Sequence, residues 1–236
     1  MVSFGWVLHR VVAMWRRTLG SVQQIVKKMH THQINMTSQW RATLPGMASA
    51  TAPEPAFRRP TPDDALRLAR EQFLAGERVE MGALADQLGI NRTTLYRWVG
   101  EREQLLGTLI SGLIDEWLEQ VRPTVTGTGV DGVLEIVRRF LELAAGYEPL
   151  TAFTRREPPL ALRVLTDREG AVTRKADATV RVVLAEMLPG REVSDEVVRA
   201  IGLVARTLVW ANIAVDQTPD IDGVVELTRT LLEPGA

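Results

Sequence analysis

Arg92, Thr93, Thr94, Tyr96 and Arg97 fall within six residues, and no acidic residue occurs from Gln87 to Gly100. Guanidinium forks donate to phosphate oxygens or to a guanine edge, hydroxyls reach phosphates or bases, and a threonine methyl meets the methyl of thymine. Together they offer the chemistry of reading a DNA duplex. Such groups need a rigid support, and the stretch from Met81 to Leu106 has the form of a helix-turn-helix followed by the start of a third helix. Ala85 is the small residue where two helices cross closely, Gly89 the turn residue that tolerates positive φ, and Leu95 the apolar knob that returns to the core. Leu84, Leu88, Ile90 and Trp98 are further apolar anchors, and Asn91 is placed as N-cap of the second helix. A helix-turn-helix that never meets DNA would use the same polar groups only as a solvated face.

At this stretch the sequence resembles the TetR family of bacterial transcriptional regulators. Thr94-Leu95-Tyr96, Arg97-Trp98-Val99-Gly100 and Arg102-Glu103-Gln104-Leu105-Leu106 follow the family's threonine-leucine-tyrosine, aromatic or apolar, lysine, acidic, leucine-leucine pattern. The match is close from Pro60 to Leu106; beyond it the match is weaker and nearest to the QsdR-type subgroup. Arg102 stands where the family usually has lysine, which implies a phosphate contact. Val99 and Gly100 stand where phenylalanine and proline are common, a departure that bears on the local shape of the turn. The resemblance implies an all-α fold: a helix-turn-helix DNA-binding domain over 60–106, then a helical ligand-binding and dimerisation domain over 107–236. It further implies a homodimer through the last two helices, a double-stranded DNA operator, a small-molecule effector, repression, and a cytoplasmic location without cofactor or metal.

Charge is distributed unevenly along the chain. Residues 1–60 hold eight basic side chains and one acidic, leaving 20 basic and 28 acidic in 61–236, although the net charge is only −1. An acidic body still binds DNA if its positive charge is concentrated on the docking face. The chain lacks cysteine, which suits a reducing cytosol and excludes thiolate chemistry. His9, His30 and His32 all precede residue 61, so the rest has neither the common nucleophile-base pairs nor a histidine zinc site, and an enzyme is the weaker reading. The apolar run from Phe4 to Trp15 is interrupted by His9 and Arg10, too short for a span of about 20 residues, and Arg16 and Arg17 follow it where a signal peptide needs charge in front. Residues 1–59 read as a disordered extension, with Met47 as an alternative start and Trp6, Val11, Trp15 and Ile25 as one face of an alternative surface helix. Arg58 and Arg59 end a flexible arm that either reaches the DNA or is solvated.

The remaining chain reads as helices. Thr61, Pro62, Asp63 and Asp64 open the first, which Gly76 ends. A longer helix runs from Arg102 to about Val121, another from Val130 to Ala144, and Gly146 to Pro159 reads as a broken connection with one short helix near Leu150 to Arg156. Further helices cover 160–165 and about 169–187, then one capped by Ser194 that is apolar almost all round from Ala200 to Val215 except at Arg206, Thr207 and Asn212, and one from Ile221 to Leu232. A helix apolar on more faces than a monomer needs invites a second copy. Trp117, Phe140, Tyr147, Phe153, Trp210 and Asn212 are the candidates to line an effector cavity, with Arg155 as partner for an anionic group; as core aromatics and a capping amide they would be structural instead. The rival to a DNA-binding regulator is a dimeric helical ligand-binding or interaction module without DNA affinity.

Overall fold

The computed structural model describes residues 59–233, which contain ten α-helices and, among those residues, no strand. The N-terminal readings built on Trp6, Val11, Trp15, Ile25, Met47 and Arg58 lie outside the described residues. Thr61 starts α1 (Pro62–Leu74) as a capping box: its hydroxyl accepts from the Asp64 N–H at 3.3 Å, and the Asp64 carboxylate accepts from the Thr61 N–H at 3.0 Å. With α2 (Met81–Leu88) and α3 (Arg92–Val99) it forms a three-helix unit around Ala65, Ala69, Phe73, Leu84, Ala85 and Leu95. Leu95 is the one fully buried residue of α3, worth about 2 kcal/mol of apolar burial. With Trp98 and Val99 half-buried beside it, Leu95 sets the rotation of α3 and leaves the opposite face in solvent.

Gly89 makes the turn possible. It closes α2 with φ 65° and ψ 30°, and nothing lies within 4 Å of where a Cβ would stand. A side chain here is opposed by backbone strain and not by a clash. Gly89→Val, β-branched in the left-handed region, is expected to cost about 2 kcal/mol and lower the melting temperature by roughly 4–8 °C. Gly89→Asn should cost less, and an unchanged melt for the valine variant would reject this geometry.

The 20-residue α4 (Arg102–Val121) spans about 30 Å. The division expected after Leu106 falls inside it: Leu105 and Leu106 pack beneath the three-helix unit, while Ile110, Ile114 and Trp117 lie among the later helices. Those are α5 (Gly129–Ala145), α6 (Glu148–Arg156), α7 (Pro158–Thr166), α8 (Ala171–Met187), α9 (Asp195–Ala214) and α10 (Ile221–Leu232). The stretch read as a broken connection with one short helix, 146–159, holds that helix as α6, starting two residues earlier than expected, and the start of α7. Pro149 and Pro158 occupy first-turn positions, where no N–H is needed, so they begin helices instead of interrupting them. Ser194 caps α9, accepting from the Val197 N–H at 3.4 Å, and Asp220 caps α10, accepting from the Gly223 N–H at 2.9 Å. One face of α9 is buried through Val198, Ile201, Val209, Trp210 and Ile213, but Leu203 on another is 54% exposed.

Candidate functional site

α3 presents Arg92, Thr93, Tyr96 and Arg97 to solvent, with Thr94 half-buried beside them. Its first turn is fixed by Asn91, whose side-chain oxygen accepts from the Thr94 N–H at 2.7 Å. Neither Arg92 nor Arg97 meets a carboxylate among the described residues, whereas Arg67, Arg70, Arg138 and Arg181 elsewhere each do. Two uncompensated cations and three hydroxyls on one short helix form a surface for phosphates and base edges. Gly82 contributes in a way that sequence reasoning missed. A Cβ there would stand 2.6 Å from Arg92 Nη2, so the glycine lets that guanidinium lie across α2. Arg59, just before α1, is exposed.

The turn into α4 departs from the familiar form. Gly100 has φ 73° and ψ −161°, a region essentially reserved for glycine and closed to the proline common at this place, and the next N–H, that of Glu101, donates to Gln104 Oε1 at 2.9 Å. Arg102, expected on phosphate, turns inward. Its Nη1 and Nη2 donate to the two Glu157 oxygens at 2.7 and 2.8 Å, and its Nε donates to the Val79 carbonyl. A fork spent on a carboxylate and a carbonyl holds the protein together; it does not face a duplex in this conformation. The two pKa shifts agree on this pairing, Glu157 held below its ordinary value first by the Arg102 hydrogen bonds and Arg102 raised first by the same bonds. Arg78 and Arg156 also approach Glu157, at 3.4 and 3.8 Å, and Arg156 donates to the Gly76 and Glu77 carbonyls in the loop between α1 and α2. One acidic residue at the α6–α7 junction thus gathers the connections of the helix-turn-helix.

A cavity of about 110 Å³ lies between α4, α5, α7, α8 and α9. Of the six residues expected to line it, Trp117, Phe140 and Trp210 do so. The other three are elsewhere. Phe153 is 1% exposed and packs edge-on against Phe73; Tyr147 packs edge-on against Trp117 without lining the cavity; Asn212 donates to the Thr218 carbonyl at 3.3 Å. Arg155, expected to receive an anionic group, is 56% exposed and pairs with Asp216 at 3.0 Å. Beside Thr179, the cavity wall carries one charged group, Arg206, only 8% exposed, which sequence reasoning passed over as one of three interruptions in an apolar helix. Burial lowers its pKa from the ordinary value, with Asp177 opposing that effect from 3.4 Å.

Residues 128–233 match the family model described as the tetracyclin repressor-like C-terminal domain. No curated protein matches the chain by sequence. Among solved structures, the transcriptional repressor QsdR of R. erythropolis, a TetR family member, is 24% identical with a TM-score of 0.67, covering 72% of this chain and 93% of its own. The TetR family repressor AlkX from Dietzia sp. strain DQ12-45-1b is 20% identical with a TM-score of 0.49, covering 74% and 95%. At that identity the first of these establishes the fold, and the family model supplies the lineage of the C-terminal helices. With a helix-turn-helix at one end of α4 and a tetracyclin repressor-like C-terminal domain at the other, the chain shares the fold of TetR family transcriptional repressors.

Proposed function

We propose that this regulator is a repressor that binds a palindromic or near-palindromic operator as a homodimer and releases it when a small molecule enters the cavity, acting in the cytoplasm. The observation carrying this reading is the face of α3, where Arg92, Thr93, Tyr96 and Arg97 stand exposed and, among the described residues, unpaired, on a helix fixed by Leu95 and Asn91. Residues 60–106 serve as the DNA-binding part and 107–236 as the regulatory and dimerising part, with Thr94 joining the α3 groups at the duplex. Arg102 is assigned to positioning, through Glu157, and not to phosphate contact. Selection of bound fragments from genomic DNA by the purified chain, followed by anisotropy titration on the selected sequence, tests the proposal. Recovery of no sequence above background would leave a ligand-binding module without DNA affinity.

A symmetric pair is required because two readers must enter successive major grooves about 34 Å apart. Support comes from α9 and α10, which leave Leu203 and Leu227 exposed at 54% and 45%. Leu203→Glu should convert the dimer to monomer in sedimentation velocity and reduce operator affinity with it. A variant that stays dimeric would move the interface elsewhere.

Coupling runs along α4. Its first turn carries Arg102, tied to the loop before α2 through Val79, while Ile110, Ile114, Trp117 and Leu118 further along line the cavity. A ligand that favours a different seating of α4 changes the spacing of the two readers, and by linkage the operator opposes ligand binding to the same extent.

A further inference from the structure

The cavity wall is apolar except at Thr179 and at Arg206, its one charged residue. Arg206 reaches it from α9, more than nine-tenths buried, and its Nε–H is buried with no hydrogen-bond partner among the described residues. Asp177 of α8 engages only Nη1, at 3.4 Å. Room for the pair comes from Gly202, one turn before Arg206, because a Cβ there would stand 2.7 Å from the Asp177 oxygen and 2.9 Å from Arg206 Nη1. An unmet donor in an apolar wall costs roughly 1–3 kcal/mol until something accepts from it.

Charge decides what that acceptor is. Arginine keeps its proton at any ordinary pH, and Asp177 already balances it, so the pair is neutral as a unit. A carboxylate entering here would bring an uncompensated negative charge into apolar surroundings beside Asp177. A carbonyl oxygen takes the free N–H without adding charge. The volume, about 110 Å³, is close to that of an apolar cavity able to hold one benzene-sized molecule, about 150 Å³. We infer that the cavity binds a small uncharged acyl compound, such as an ester, ketone or amide, whose carbonyl oxygen accepts from Arg206 while its hydrocarbon part lies against Ile114, Trp117, Phe140 and Trp210. The inference rests on the cavity being the effector site proposed above, and it names the chemistry that site selects.

Isothermal titration of the full chain with methyl propanoate, sodium butanoate and n-hexane, each of six non-hydrogen atoms, tests it. The ester should bind at least about tenfold tighter than either of the others, as expected for a hydrogen bond from a charged donor. In Arg206→Met/Asp177→Asn, which removes both charges together, the ester should fall to within about threefold of hexane while hexane binding stays as in the parent. Arg206→Lys keeps the ion pair without the free Nε and should lose the ester preference too, so the result stands even if the double variant melts early by circular dichroism. Butanoate as the tightest ligand, an ester preference that survives both variants, or no binding of any of the three would overturn the inference. Repeating the titration with operator present separates the two readings: ester binding through Arg206 without operator release retains the ligand chemistry and removes the effector role.

Discussion

Arg97→Ala lowers affinity for the selected operator by about 30-fold or more while leaving the melting temperature unchanged. Arg97 is exposed, without a carboxylate partner among the described residues, in the last turn of α3, so its removal from the free protein falls within the roughly ±0.5 kcal/mol of ordinary surface changes. On DNA the same group is lost twice, once per half-site. Each lost contact costs about 1–3 kcal/mol, giving about 2–6 kcal/mol for the dimer. Salt dependence tells which kind of contact it is. If Arg97 reads a base edge, affinity for unrelated DNA changes little and the specificity ratio collapses; if it meets phosphate, both affinities fall and the slope of log affinity against log salt drops by about two across the dimer. Arg102→Ala serves as the contrast. Because that fork faces Glu157, its loss should appear in the melt, with no change in salt slope. Anisotropy titrations at several salt concentrations, alongside thermal melts, decide the matter, and an Arg97 variant that binds like the parent would remove α3 from the interface.

How much of this was legible in the sequence depends on how far apart the interacting residues lie. Asn91 caps a helix three residues away and Gly89 serves its own turn, so α2 and α3 could be read locally and their outward residues named in advance. Ser194 and Thr61 worked in the same way. The short helix expected near Leu150 to Arg156 and the one over 160–165 are both present; the prolines only delayed their expected starts, because Pro149 and Pro158 each stand in a first turn with their helix on the C-terminal side. Pairings across the fold carried no local mark. Arg102 matched a phosphate-contacting position by type and spacing, yet its partner Glu157 is 55 residues further on. Arg206 and Asp177 are 29 residues apart, and the only trace of their pairing was one charged residue in the stretch from Ala200 to Val215, a position that demands a buried acceptor. Phe153 and Tyr147 were named as lining because aromatic type alone does not say whether a ring faces a void or another ring. Phe73 and Trp117 answered that in the fold.

Glu157→Gln weakens the fold and the communication along it together. The carboxylate is 13% exposed and receives both arms of Arg102, with Arg78 and Arg156 close by; glutamine leaves those guanidinium groups without a counter-charge in a partly buried place. Breaking a fully buried pair costs about 3–5 kcal/mol, and the exposure of Arg78 and Arg156 reduces that to about 2 kcal/mol, or a melting temperature lower by roughly 4–8 °C. The pH dependence identifies the cause. Arg102 holds the Glu157 carboxyl below its usual range in the folded protein, so the unfolded chain takes up this proton more readily. The carboxylate's contribution is therefore complete above the unfolded value of about 4.3 and is lost as pH falls through the lower folded value. Urea unfolding of parent and variant should show a constant gap from pH 7 down to about pH 5 and a narrowing gap below it. A gap that widens in acid would mean that Glu157 stabilises as a neutral group. The same variant tests the route from cavity to reader, since Arg102 and Arg156 tie Glu157 to the carbonyls of Gly76, Glu77 and Val79 just ahead of α2. With the carboxylate gone, a ligand should still bind, measured calorimetrically, but shift operator affinity by several-fold less than in the parent. Undiminished release would place the coupling in the packing of α4 alone.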